Sequence, residues 1–201
     1  MLLACTPYVL IADTAPFKAL LPPDRRGRLA EDSAVLFAYA LLALGLEQYG
    51  SIDAQDIVYT DAGRPYLPGH PVHFSLSHAK THALCAISDT PVGCDIETHR
   101  PVSVRTLRRI LADGEREADF FSHWTLKESY FKLTGDLTQP FASICFDLTG
   151  DAAARADAYA HLYHEIPGCT AAVAAREPFP RPALCLFSPE TLFSYAVEKY
   201  A

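Results

Sequence analysis

The order of apolar and polar positions divides the chain into short, separable elements. A mostly apolar run from Leu2 to Ala12 has the length of a buried first strand. Leu21-Pro22-Pro23-Asp24-Arg25-Arg26-Gly27-Arg28 follows as a turn with a basic cluster. From Glu31 to Leu46 the chain is rich in Ala and Leu and closes at Gly45 or Gly50, the pattern of a mostly buried helix. Asp61-Ala62-Gly63-Arg64-Pro65 is a turn, and three short strands are expected after it, Val72 to Leu76, Ala83 to Ser88 and Val92 to Ile96.

Beyond Pro101 the pattern changes. Ser103 to Leu111 has helical spacing, and Glu115 to Leu133 predicts a longer helix whose aromatic face carries Phe120, Phe121, Trp124, Phe131 and Leu133. Gly135 and Pro140 close it. Strands are expected at Ser143 to Leu148, Tyr159 to Ile166, Thr170 to Ala175 and Leu184 to Phe187, with a terminal helix after Pro189. Each half thus reads as a strand, a helix and several further strands. That predicts an α+β chain of two similar small subdomains, residues 1–98 and 99–201, divided near Glu97 to Pro101. No internal sequence repeat accompanies the similarity.

Composition narrows the class. The chain has 201 residues, half of them apolar, and ten Tyr and eleven Phe give it large groups to bury. No apolar run approaches the ~18 residues needed to cross a bilayer. Met1-Leu2-Leu3-Ala4-Cys5 has the outline of a lipoprotein cleavage site, but it lacks a basic region and room for an apolar one, so a cytoplasmic protein is expected. The six cysteines show no metal-ligand spacing and read mostly as small buried hydrophobes. A net charge of −7 disfavours a general nucleic-acid binder and leaves room for a local basic pocket.

Three segments carry possible chemistry. In Val92-Gly93-Cys94-Asp95-Ile96-Glu97, strand alternation puts Asp95 and Glu97 on one face. Adjacent carboxylates repel, and a metal is the usual compensation; a lone Asp-x-Glu is more often the exposed face of a strand end. In Trp124 through Lys132, Glu128 and Lys132 lie four apart on one helix face, while Trp124 and Phe131 anchor the helix on the core. The pair suits a metal ligand with a phosphate clamp, and equally an ordinary surface ion pair. Phe74-Ser75-Leu76-Ser77-His78 directs Phe74 and Leu76 inward, sets Ser75 and Ser77 on the other face, and ends in an imidazole that can hold phosphate oxygens or serve structurally. No nucleophile-elbow pattern surrounds Ser77-His78.

Taken in chain order, with the preceding Gly63-Arg64-Pro65, these segments resemble the signature of the 4′-phosphopantetheinyl transferases, most closely the pseudo-dimeric surfactin-synthetase-activating type. The family pattern is a Gly-Lys-Pro turn, Phe-x-x-Ser-His, Gly-x-Asp-x-Glu, and Trp-(Ser/Thr)-x-Lys-Glu-(Ser/Ala)-x-x-Lys, and the likeness covers roughly residues 20 to 150. It implies two α+β subdomains related by a pseudo-two-fold, with coenzyme A in the cleft between them. The implied reaction transfers the 4′-phosphopantetheine arm to a serine of an apo carrier protein and releases adenosine 3′,5′-bisphosphate. It also implies magnesium, with manganese as an alternative, held by Asp95, Glu97 and Glu128. Glu128 would take the serine proton directly or through a metal-bound water, Lys132 would hold a phosphate oxygen, and Ser77, His78 and Arg64 would contact the coenzyme. Lys127 reads as supportive. The expected state is a monomer with no nucleic-acid or membrane partner, serving lysine or secondary-metabolite biosynthesis.

The chain departs from the pattern in places. The helix following the basic cluster lacks the family's early Arg, so Arg25, Arg26 or Arg28 would take over the 3′-phosphate of coenzyme A. Gly135-Asp136-Leu137 is one residue shorter than Gly-x-Gly-Leu, and the segment from Glu97 to Trp124, which would meet the carrier, is short. Within it either Glu115 or Glu117 matches a further family carboxylate. The competing readings are a metal-dependent nuclease and a non-catalytic module that binds coenzyme A or carrier protein.

Overall fold

The computed structural model describes residues 1–8, 14–26, 32–61, 63–136 and 138–200, the side chains of Asp24 and Tyr200 excepted. The chain forms two compact units, one of Met1–Thr90 with Pro182–Ala201, the other of Pro91–Arg181. The expected boundary at 98/99 is therefore displaced at one end, and the last twenty residues belong with the first unit.

In the first unit, strand β1 (Leu2–Pro7) is followed by helix α1 (Ala15–Leu20) and the long helix α2 (Ser33–Gly50). A short hairpin of β2 (Val58–Tyr59) and β3 (Pro65–Tyr66) leads to β4 (His73–His78) and β5 (His82–Ser88). The last segment contributes β11 (Leu184–Leu186) and α5 (Pro189–Tyr200). The sheet order is β11-β1-β5-β4, with β11 parallel to β1 and the other pairs antiparallel. This parallel pairing explains the misplaced boundary, because an apolar pattern announces a strand without naming its partner. Helix α5 packs on α1 and α2: Phe193 meets the ring of Phe17, and Glu47 accepts hydrogen bonds from Tyr195 and Lys199.

Helix α2 starts at Asp32, whose carboxylate accepts the Ala34 N–H, and ends at Ser51 in the left-handed region. It runs past Gly45, which was a candidate terminator. A Cβ there would come within 2.6 Å of Ile87 Cδ1, so Gly45 is a point of close packing between α2 and β5. The longer helix also overturns the expectation that no apolar run approaches membrane-spanning length. At 18 residues α2 meets that test by length and composition, yet 67 % of it is buried inside the unit, the setting of a core helix.

The second unit opens with β6 (Val92–Thr98), continues through α3 (Val104–Ile110) and α4 (Phe120–Thr134), and closes with β7 (Asp147–Thr149), β8 (Ala152–Arg155), β9 (Ala158–Tyr163) and β10 (Cys169–Ala175). The sheet order is β6-β10-β9-β8-β7, antiparallel throughout. β6 pairs with β10 over all seven residues, which is why the unit begins at Pro91 and not after Glu97. Helix α4 lies across β6 and β10 and buries Leu126, Tyr130, Phe131 and Leu133 against Ile144, Leu162, Ala172 and Ala174. It starts five residues later than expected and stops at Gly135, whose positive φ and N–H bond to Phe131 O close the last turn. Strand β8 was not anticipated, since Ala-Ala-Ala-Arg has neither alternation nor β-branched residues to mark it.

Candidate functional site

Alternation along β6 sets Val92, Cys94 and Ile96 on one face and Gly93, Asp95 and Glu97 on the other. A single position fixes which face meets α4. A Cβ on Gly93 would lie 2.0 Å from Ser129 O and 2.5 Å from Leu133 N, both main-chain atoms of α4. Only a residue without a side chain lets the helix rest on the strand here. That close approach brings Lys132 over Asp95, its ammonium donating to Asp95 Oδ1 at 2.8 Å.

Trp124, Glu128 and Lys132 recur every four residues and form one stripe along α4. Asp95 is buried, whereas Glu97, Glu128 and Lys132 are half-buried. Burial raises the Glu128 pKa above the ordinary carboxylate value, the Asp95 charge adds to it, and Lys132 offsets part of the rise. Glu97 is likewise raised, first by burial and then by Asp95, against the Arg100 hydrogen bond. For Lys132 burial disfavours the cation, but the carboxylates of Asp95 and Glu128 outweigh it and hold the ammonium above its ordinary pKa. The charges of Asp95 and Glu97 thus reach Glu128 from a strand some thirty residues away in the chain.

Among the described residues, no group of three His, Cys, Asp or Glu is gathered tightly enough to hold a metal ion as it stands. The donor set nevertheless fits magnesium in kind. That ion takes one or two carboxylates and completes its shell with water and substrate phosphate, so it does not need three protein ligands closed around it.

Lys127 leaves α4 in another direction. Its side chain is 1 % exposed, and its ammonium donates to Ile110 O at 2.7 Å and to the Glu115 carboxylate at 2.5 Å. Glu115 also accepts the Ala112 N–H and lies 3.3 Å from His123 Nδ1, while Glu117 is exposed. Of the two candidate carboxylates, Glu115 is therefore the one built into the unit, clamping the segment after α3 to α4. Burial lowers the His123 pKa, with Glu115 opposing.

The remaining expected residues lie in the first unit. Ser77 and His78 end β4, Ser77 buried and His78 exposed. Ser75 is buried as well, so both faces of β4 are covered rather than Phe74 and Leu76 alone facing inward. Arg64 is exposed on the turn between β2 and β3, where its N–H donates to Thr60 Oγ1. Arg25 stacks 3.8 Å over the Tyr59 ring. Arg26 donates to the carbonyls of Ala19 and Leu21 and so tethers the end of α1, which leaves it a structural task. Arg28 lies outside the described residues.

One residue beside the carboxylates was not singled out from the sequence. Arg100, three residues past Glu97, donates to Glu97 Oε2 at 2.6 Å and lies 5.1 Å over the Trp124 ring. The spacing is visible in the sequence, but its meaning depends on α4 presenting Trp124 beside the end of β6.

Comparison with known proteins agrees with this geometry. Residues 91–172 match the 4′-phosphopantetheinyl transferase superfamily, a span that falls within the second unit. The chain is 28 % identical over 190 residues to the 4′-phosphopantetheinyl transferase Sfp of Bacillus subtilis (strain 168), covering 81 % of this chain and 85 % of that protein. It is 31 % identical over 157 residues to the 4′-phosphopantetheinyl transferase ffp of Bacillus subtilis, covering 67 % and 70 %. It is 32 % identical over 132 residues to the 4′-phosphopantetheinyl transferase HetI of Nostoc sp., covering 57 % and 54 %. With Gly93, Asp95, Glu97 and the Trp124–Lys132 stripe assembled on one strand and one helix, the chain belongs to the 4′-phosphopantetheinyl transferase family.

Proposed function

We propose that this protein transfers the 4′-phosphopantetheine arm of coenzyme A to a serine hydroxyl of an apo carrier protein and releases adenosine 3′,5′-bisphosphate. The observation that carries the reading is the seating of α4 on Gly93, which sets Glu128 and Lys132 beside Asp95 and Glu97. Asp95, Glu97 and Glu128 would hold a magnesium ion, for which manganese could substitute. Bound there, it would supply charge neutralisation to the pyrophosphate of coenzyme A. Glu128, raised in pKa and not covered by the Arg100 ion pair that Glu97 carries, is the carboxylate that accepts the serine proton, directly or through water. Lys132 stays charged and holds a phosphate oxygen of the leaving group.

In the first unit, Ser77 and His78 at the end of β4, exposed Arg64 and stacked Arg25 are the groups that bind the coenzyme, by hydroxyl, imidazole and guanidinium. The two units share one connectivity, in which a first strand pairs antiparallel with the last strand of a following meander, β1 with β5 and β6 with β10. That supports reading the chain as two versions of one α+β unit. We take the protein to act as a cytoplasmic monomer with no nucleic-acid or membrane partner, on a carrier of lysine or secondary-metabolite biosynthesis. Neither the nuclease nor the non-catalytic reading finds support in the relatives.

Mass spectrometry of apo carrier proteins incubated with this protein, coenzyme A and magnesium tests the reading. The expected result is a gain of one phosphopantetheine arm, abolished by chelator. An unchanged mass on fatty-acid, polyketide and nonribosomal-peptide carriers alike would overturn it.

A further inference from the structure

Two basic side chains already sit on the carboxylates of the second unit, and they are held differently. Lys132 belongs to α4 itself, and its ammonium lies against the buried Asp95. Arg100 lies beyond the end of β6 with 47 % of its side chain exposed, and the same Nη1 donates to Glu97 Oε2 at 2.6 Å and to Thr98 O at 3.0 Å. Its guanidinium carbon stands 5.1 Å over the Trp124 ring and 5.9 Å over that of Phe121. An exposed ion pair of this kind is weakly held, and the exposed guanidinium gains only a little from the aromatic faces it stands over. A divalent cation on Glu97 would compete with it for the same carboxylate and repel it.

We propose that Arg100 is an internal counter-cation for Glu97 that a divalent metal displaces, so that loading the carboxylates moves the Arg100 guanidinium off both Glu97 and Trp124. This rests on the assignment of Asp95, Glu97 and Glu128 as metal ligands. Arg100 is then a positioning residue: it occupies Glu97 while the site is empty and sets the metal concentration at which the site fills. The chain carries its own reporter, because Trp124 is its single tryptophan and lies under the group that moves.

The test is a titration of the 201-residue chain with magnesium chloride alone at matched ionic strength, followed by tryptophan fluorescence and by calorimetry. Parent, Arg100→Gln, Arg100→Lys and Asp95→Asn proteins are compared. In the parent, the fluorescence change should saturate at the metal concentration where calorimetric binding does. Arg100→Gln should bind magnesium about three- to tenfold more tightly, since one repelling, competing charge is gone. Its metal-free emission should already resemble that of the loaded parent, so the amplitude shrinks. Arg100→Lys should return the affinity towards the parent value. If Arg100→Gln binds no more tightly than the parent, or keeps the full fluorescence change, the displacement is wrong while the metal site stands. Absence of calorimetric binding in the parent, or binding unaltered in Asp95→Asn, overturns the metal assignment and the displacement with it.

Discussion

Helices α2 and α4 occupy the same place in the connectivity of their units, each between the first strand and the meander that pairs with it, yet they differ in what they bury. From Ser33 to Leu46, α2 has no charged residue, and it encloses Leu36, Phe37, Leu41, Leu42 and Leu46 in an apolar core. In its 15 residues α4 carries His123, Lys127, Glu128 and Lys132, and it buries Thr125, Lys127 and Ser129 along with its apolar face. Their closest contacts differ in the same sense. Gly45 of α2 meets the flexible tip of Ile87, whereas Gly93 meets the main chain of α4. One helix is held by shape and apolar area, which tolerate repacking. The other is held by fixed backbone contact and paired charges, which orient side chains and tolerate little.

Alanine at the two glycines should expose that difference most sharply. Gly93→Ala forces the α4 backbone off β6, so a loss of roughly 4 kcal/mol or more is expected, the range of severe steric or core lesions. Gly45→Ala asks only the end of Ile87 to turn and should cost about 1–3 kcal/mol, the usual range for overpacking. Denaturant unfolding measures both, and equal costs would erase the distinction.

Next in size is Lys127→Met, which leaves the Glu115 carboxylate inside the second unit without its ammonium. Removing one partner of a buried pair costs about 3–5 kcal/mol. Lys127→Met with Glu115→Gln together should recover much of that loss, and a double variant no better than the single one would count against the clamp.

Glu128→Gln should act in opposite directions on activity and stability. Transfer activity falls about a hundredfold or more if Glu128 serves as base. The metal-free protein should instead melt about 2–4 °C higher, the equivalent of roughly 1 kcal/mol in a chain this size, because a carboxylate disfavoured by burial and repelled by Asp95 is gone. An unchanged or lower melting temperature would show that the Glu128 carboxylate is not held there at a cost.

The smallest effect is in pH. Glu97 and Glu128 have folded-state pKa values raised above their unfolded ones, so on lowering the pH the folded protein takes up their protons first. Their contribution therefore grows more favourable as pH falls from neutrality through the raised values, and levels off below the unfolded value. The stability gap between Glu128→Gln and the parent should narrow over that interval in melting experiments. A gap that widens on acidification would contradict the sign.

The limits of reading the chain are visible at particular residues. Three-dimensional information was not needed to place Asp95 and Glu97 on one face or Glu128 and Lys132 on another, since strand and helix periods dictate both. Gly135 as the end of α4 was equally plain. Gly45 was not, because a helix-breaking residue and a close-packing residue look alike until the opposing strand is known. The pattern marks β11 and α5 as elements but groups them with the wrong unit, for pairing is a long-range choice that local pattern does not record. Glu115 and Glu117 were indistinguishable until Lys127 turned inward to one of them.

By itself, the amino-acid sequence determined the longer elements, the α+β class and the carboxylate, ammonium and imidazole groups available for chemistry, because these follow from periodicity and side-chain identity. Tertiary structure alone decided that Gly93 must be bare, that Lys132 covers Asp95, and that Arg100 stands over the face of Trp124. Those are contacts between segments far apart in the chain, and their distances depend on how closely one helix can settle on one strand.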